Sequence, residues 1–147
     1  KKIYAGHLVL DYNGTIAEDG KLIPGVADTL NSISDNLEVH VITADTFGKA
    51  AAELKDVKCT LGIIGKGDQE KQKLDFITSL GPDKVIAAGN GFNDMLMLNS
   101  AALGIAIIQK EGASAKTVAA ADIIVTSIND ALGLILNPLR IAATLRG

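Results

Sequence analysis

Tryptophan is absent from this chain and aromatic residues make up only 3% of it, so large rings cannot dominate its interior. Hydrophobic residues nonetheless reach 48%. The core must therefore be built from Ala, Val, Ile and Leu packed between layers, which suits an α/β sandwich. A single cysteine, Cys59, excludes an internal disulfide and fits a reducing compartment. It sits in an apolar run with no partner for a metal and reads as a buried small hydrophobe. No segment reaches the roughly 18 consecutive apolar residues of a membrane span, and the opening Lys1-Lys2-Ile3-Tyr4-Ala5-Gly6 lacks a signal-peptide core. The expectation is a soluble, cytoplasmic chain with no membrane partner. The net charge of −3 and pI near 5.3 show no basic excess, and no cluster of Lys and Arg with interleaved aromatics occurs, so nucleic acid is not expected as a partner. Linkers, low-complexity tracts and internal repeats are missing too, and a length of 147 residues suits a single domain, 1–147.

What is present is organised around His7 to Thr15. Leu8, Val9 and Leu10 form a short run with little alternation, the pattern of a strand buried on both faces of a parallel sheet. Asp11 stands at its carboxyl end, followed by Asn13, Gly14 and Thr15. Ligands in open α/β sheets bind at the carboxyl ends of the strands, so a carboxylate there suggests a phosphate or metal site. A plain strand-ending Asp-Asn-Gly turn is the alternative.

The rest of the chain alternates strand and helix. Ile16 to Pro24 reads as a tight hairpin around Asp19-Gly20, a flap beside Asp11. A helix over Gly25 to Ser34 precedes a strand over Leu37 to Ile42, which Thr43-Ala44-Asp45 ends. Thr46 can cap a helix to Leu54, and Cys59 to Ile64 is the next strand. Asp68 caps a helix carrying Lys71, Lys73, Leu74, Ile77 and Leu80, closed by Gly81-Pro82. Lys84 to Ala88 is a buried strand, and Gly89-Asn90-Gly91-Phe92-Asn93-Asp94 breaks it before a helix from Met95 to Ser100. Leu103 to Ile107 and Ile123 to Val125 are further strands, with a small-residue helix near Ser114 to Ala120 between them. Ser127 caps a helix from Ile128 to Leu136, and a last segment runs from Leu139 to Leu145 before Arg146 and Gly147. The pattern predicts a three-layer, Rossmann-like parallel sheet with helices on both faces and right-handed crossovers. Gly89-Asn90-Gly91 is not a dinucleotide fingerprint, because the third glycine and the acidic ribose partner are missing. His40, and His7 with it, read as structural, hydrogen-bonded histidines, since no second histidine neighbours His40.

Four groups in order then point to phosphoryl transfer: Asp11 with Asn13, Thr43, Lys73, and the loop from Asn90 to Asp94. A carboxylate can attack phosphorus and form an aspartyl-phosphate, and Asp11 is expected to be ionised for this at neutral pH. Two anions must then meet, and Mg²⁺, which favours oxygen ligands, would remove the repulsion. Asp94 and the Asn90 side-chain oxygen are candidate ligands beside Asp11. Thr43 supplies a hydroxyl and Lys73 a cation for the phosphate oxygens. Lys66 and Lys71 also lie nearby and read as solvated surface charges.

These residues resemble the haloacid dehalogenase superfamily over nearly the full chain, and within it the phosphorylation domain of P-type ATPases and their small soluble relatives. The resemblance implies Asp11 as nucleophile, the backbone carbonyl of Asn13 as a Mg²⁺ ligand, and Thr43 and Lys73, with Ala44 and Gly14, as phosphate binders. It also implies the Asn90 to Asp94 loop as the metal motif. Two positions depart from the pattern. Phosphatases of the superfamily usually carry an aspartate, as general acid and base, where this chain has Asn13; losing such a group typically costs about 10²–10⁴-fold in rate. Asn90 replaces a metal-binding aspartate, keeping an oxygen but losing a charge, so Mg²⁺ should bind more weakly. A cap domain has no room beyond the hairpin flap, so the site should be open, closed by another subunit or by a large substrate. The apolar stretch Ile128 to Leu145 could serve a homo-oligomer interface or dock on the sheet. The expected activity is a slow Mg²⁺-dependent phosphohydrolase or phosphotransferase acting on a phosphorylated substrate. The alternative is a binding or regulatory module with negligible turnover. A receiver-type phospho-acceptor domain also uses Asp, Thr and Lys, but the Gly-Asn-Gly-Phe-Asn-Asp loop argues against it.

Overall fold

The computed structural model describes residues 3–45 and 48–145. Thr46, expected as a helix cap, lies outside the described residues, as do Lys1, Lys2, Phe47, Arg146 and Gly147. The apolar run after His7 forms β1 (His7–Asp11), whose Leu8, Val9 and Leu10 are fully buried. It pairs in parallel with β4 (Glu38–Thr43) on one side and β6 (Val85–Gly89) on the other. The sheet extends through β5 (Thr60–Ile63) at one edge and β7 (Leu103–Ile107) and β8 (Ile123–Val125) at the other, in the order β5-β4-β1-β6-β7-β8. All of its pairings are parallel.

Alternation along each strand sends successive side chains to opposite layers. Leu8 and Leu10 join Val39, Val41, Ile86 and Ile105 against α1 (Val26–Ile33), α2 (Lys49–Glu53) and α6 (Ile128–Leu136). Val9, Ile42, Val85 and Ala87 face the other way, against Ile77 of α3 (Gln69–Leu80) and Met97 and Leu98 of α4 (Met95–Ser100). The helix α5 (Ala115–Ala120) completes that second layer through Val118, and α7 (Pro138–Leu145) follows α6. The result is the three-layer, Rossmann-like α/β sandwich with helices on both faces.

Local chemistry fixes the helix starts. The Asp68 carboxylate accepts from the Lys71 N–H at 3.3 Å to open α3, and Ser127 Oγ accepts from the Asp130 N–H at 3.0 Å to open α6. Ile128, Ala131 and Leu132 of α6 are buried against the sheet, so the first part of the apolar carboxyl-terminal stretch docks on the core. The flap is a short hairpin of β2 (Ala17–Glu18) and β3 (Lys21–Leu22), turned by Asp19 and Gly20, both at positive φ. Tyr12, 1% exposed, ties it down by donating its hydroxyl to the Gly20 carbonyl at 2.8 Å.

Three expectations need correction. Cys59 precedes β5 and is half-buried rather than buried, because β5 is an edge strand covered incompletely. The helix after β4 begins only at Lys49, with Gly48 at its start in the left-handed region. His7 and His40 are also not isolated: parallel pairing of β1 with β4 brings His7 Nδ1 to 3.1 Å from His40 Nε2. Residues 33 apart in the chain give no sequence sign of that contact.

Candidate active site

Parallel strands deliver their carboxyl ends to one edge, and the site is built there. Asp11 closes β1 with its side chain 14% exposed. Its Oδ1 accepts from Lys73 Nζ at 3.0 Å and its Oδ2 from Thr15 Oγ1 at 3.1 Å. Lys73 reaches it from the buried face of α3, with only 1% of the residue exposed. All three ammonium protons have acceptors: Asp11 Oδ1 and Asn93 Oδ1 at 3.0 Å, and Asp94 Oδ1 at 2.7 Å. Lys71 and Lys66 are exposed.

Asp94 is completely buried. Its second oxygen accepts from the backbone N–H groups of Asn90 at 3.1 Å and Gly91 at 3.0 Å, so both carboxylate oxygens are engaged inside the protein. The loop can close this tightly because residue 89 is glycine, where a Cβ would lie 2.4 Å from Asp94 Oδ2. Asp94 thus grips the lysine and its own loop rather than presenting an open oxygen.

Asn90 is 8% exposed; its Nδ2 donates to the Gly112 carbonyl at 3.2 Å, and its Oδ1 lies 3.4 Å from the Thr15 hydroxyl. That single hydroxyl proton faces both Asp11 Oδ2 and Asn90 Oδ1, which brings the two oxygens to one place. Gly14 makes room for them at φ +81°, a backbone that also turns the chain, and a Cβ there would sit 2.4 Å from Asn90 Nδ2. Thr43 ends β4, one residue beyond the Ile42 that pairs with Asp11. Its Oγ1 accepts from the Asp45 N–H at 3.2 Å, which leaves its proton to donate, and Ala44 follows it half-buried. Asn13 is exposed, with no side-chain hydrogen bond to a described residue.

Three further residues hold this arrangement: Thr15 and Asn93, which the sequence marks only as members of the Asp11 turn and the loop from Asn90 to Asp94, and Gln109, which it does not mark at all. Thr15 bridges Asp11 and Asn90, and Asn93 links Lys73 to Gln69 through a 2.9 Å bond from its Nδ2. Gln109, almost a hundred residues away in the chain, donates its Nε2 to the carbonyls of Gly14 at 3.1 Å and Thr15 at 3.0 Å, and accepts from the Ile128 N–H at 2.8 Å. Only its place just after a buried strand end could have marked it.

Two carboxylates against one ammonium leave an excess negative charge. Burial, and then the Asp94 charge, push the Asp11 carboxyl up to about 7, against the lowering pull of Lys73 and the Thr15 hydroxyl. The expectation of a fully ionised Asp11 at neutral pH is corrected accordingly for the protein without a cation. Burial also opposes the Lys73 charge, but Asp11 and Asp94 outweigh it and raise the ammonium pKa above the lysine range. The uncompensated charge, together with convergent carboxylate and amide oxygens, fits a hard divalent cation next to Asp11.

Comparison with known proteins agrees with this architecture. No family model matches the sequence. The uncharacterised protein MJ0073 of Methanocaldococcus jannaschii is 46% identical over 84 residues, which cover 54% of this chain and 90% of that protein. Among solved structures, the 3-deoxy-D-manno-octulosonate 8-phosphate phosphatase of Moraxella catarrhalis, in complex with magnesium, phosphate and KDO, superposes with a TM-score of 0.76 at 16% identity, covering 95% of this chain and 93% of that one. The catalytic domain of the CPx-ATPase CopB-B gives a TM-score of 0.64 at 25% identity, over 79% of this chain and 46% of that one.

Proposed function

We propose that this chain, which belongs to one family with MJ0073 and has the fold of the haloacid dehalogenase superfamily, is a phosphohydrolase or phosphotransferase working through an aspartyl-phosphate on Asp11. The observation that carries the reading is the Asp11 carboxylate at the end of a central strand, held between the Lys73 ammonium and the Thr15 hydroxyl, and still open to solvent. An Asp11 oxygen attacks phosphorus, the P–O bond to the ester oxygen breaks, and the departing alkoxide takes a proton from water. Lys73 and Thr43, with the backbone at Ala44 and Gly14, stabilise the charge on the equatorial oxygens. Water then attacks phosphorus, the P–O bond to Asp11 breaks and regenerates its carboxylate, and the proton lost by the attacking water passes to the released phosphate or to solvent.

A magnesium ion held by Asp11, the Asn13 carbonyl and the Asn90 side chain would neutralise the meeting of two anions. Asp94 acts through Lys73, fixing where the ammonium points, and the backbone bonds to its other oxygen keep it from turning outward. Asn13 offers no proton transfer in either half-reaction, so hydrolysis of the intermediate is the slow step. The substrate is a phosphomonoester whose bulk lies outside the cleft, because among the described residues the β2–β3 hairpin is the one strand element added to the six-stranded sandwich.

Incubation with acetyl phosphate or beryllium fluoride tests the reading. A Mg²⁺-dependent adduct on Asp11, found by mass spectrometry and lost in Asp11→Asn, is expected. An adduct on another residue, or one that survives Asp11→Asn, overturns it.

A further inference from the structure

At the opposite edge of the sheet, three side chains converge without a role in phosphoryl transfer. His7 opens β1, Glu38 opens β4 in register with it, and His40 follows two residues later on the same face of β4. The five-residue β1 puts about 13 Å of extended strand between His7 and Asp11. His7 Nδ1 lies 3.1 Å from His40 Nε2 and 3.2 Å from Glu38 Oε2, and His40 Nε2 lies 3.8 Å from that oxygen.

No single proton serves all three acceptor atoms of this triangle. If His40 Nε2–H donates to His7 Nδ1, the lone pair of that nitrogen and the Glu38 carboxylate are both acceptors facing each other. If His7 Nδ1–H donates to Glu38 instead, the His40 Nε2 lone pair, 3.1 Å from the same nitrogen, is left without a proton of its own, and the buried His40 Nδ1–H has no partner among the described residues, as it also has none with a metal on Nε2. A cation at the centre takes all three lone pairs at once. The three separations admit a point roughly 2.0–2.1 Å from every donor, the ordinary Zn²⁺ distance to imidazole and carboxylate, and a tetrahedral ion keeps its donors roughly 3.3–3.4 Å apart.

We propose that His7, Glu38 and His40 form a second metal site, separate from the catalytic pocket, for a divalent ion of the zinc class. His7 binds through Nδ1, His40 through Nε2 and Glu38 through Oε2, and a fourth position opens to solvent beside the 73%-exposed glutamate. Two imidazoles and one carboxylate select zinc, cobalt, nickel or copper over magnesium, which prefers an all-oxygen shell. The ion ties the starts of β1 and β4 together. The His40 Nδ1–H lacks an acceptor among the described residues, and the ring instead packs edge-on against Phe76 of α3, with centroids 5.4 Å apart. A missing outer-shell partner typically weakens a metal site about 10–100-fold, so the site is of moderate affinity.

The purified full chain, stripped with chelator and dialysed against Zn²⁺ with Mg²⁺ in large excess, should retain one equivalent of zinc. Asp11→Asn should retain it too, which separates this site from the catalytic pocket. His7→Gln and Glu38→Gln, both at the solvent-facing side, should each weaken binding at least 10-fold in competition with a chromophoric chelator. Zinc at 100 times its Kd should raise Tm by roughly 5–10 °C in the parent chain and not in these variants. Absence of the bound equivalent, or equal affinity in the folded variants, overturns the proposal.

Discussion

Asp11→Asn should destroy the nucleophile and stabilise the fold at the same time. In the folded chain burial and Asp94 raise the Asp11 pKa from its usual 3.8 to about 7. Between those two values the folded chain keeps a proton that the unfolded chain has released, so stability falls as pH rises from about 4 to about 7 and stays depressed above that. Roughly three pKa units correspond to about 4 kcal/mol at pH 8, shrinking to about 1 kcal/mol at pH 4.5. Asparagine imitates the protonated carboxyl and escapes the penalty. Urea unfolding of both chains in EDTA at the two pH values measures the difference. The variant should be more stable by several kcal/mol at pH 8, a rise in Tm of roughly 8–16 °C, with most of the gain gone at pH 4.5. Mg²⁺ should narrow the gap by stabilising the parent chain. A variant no more stable than the parent at pH 8, or a difference independent of pH, would refute the claim that excess negative charge sits on this carboxylate.

Two further substitutions probe the same site. Asn13 is exposed and its side chain lacks a bonding partner among the described residues, so Asn13→Asp should fold normally. Turnover of para-nitrophenyl phosphate should rise by about 10²-fold or more, with a new ionisation in the pH profile; an unchanged rate at saturating Mg²⁺ would favour a binding module. Gly89→Ala drives a methyl group to within 2.4 Å of the Asp94 carboxylate and should cost about 1–3 kcal/mol while loosening Lys73. Adduct formation on Asp11 should fall with it, and normal adduct yield in the folded variant would show that Asp94 does not position the lysine.

The fold was legible in the sequence because its strands are nearly continuous apolar runs ended by polar loops. Leu8 to Leu10, Val85 to Ala88 and Leu103 to Ile107 are short apolar runs bounded by polar loops, too short for helices of their own, and all three are strands. Boundaries were less legible where the sheet thins. At the β5 edge, Cys59 and Ile64 have the same apolar character as their neighbours but flank the strand rather than belong to it, although the Ile64 N–H still donates to the Thr43 carbonyl at 2.9 Å, and sequence pattern does not encode where such pairing ends.

Residues at the carboxyl edge were readable because each sits at a strand end or on a helix opening over it, and a parallel sheet makes strand ends neighbours. The same rule operates at the other edge, where it went unread. His7 and Glu38 are strand-start residues in register, so the pairing that assembles Asp11 beside Thr43 must also bring His7 against Glu38 and His40. The register of β1 against β4 was the missing quantity: a shift by one residue would turn His40 to the opposite face and break the triangle, while leaving every apolar run in the sequence unchanged. Gln109 was hidden for a related reason. Its two bonds to the Gly14 and Thr15 carbonyls depend on β7 standing two strands from β1, across β6, an order fixed by packing between layers rather than by any local motif.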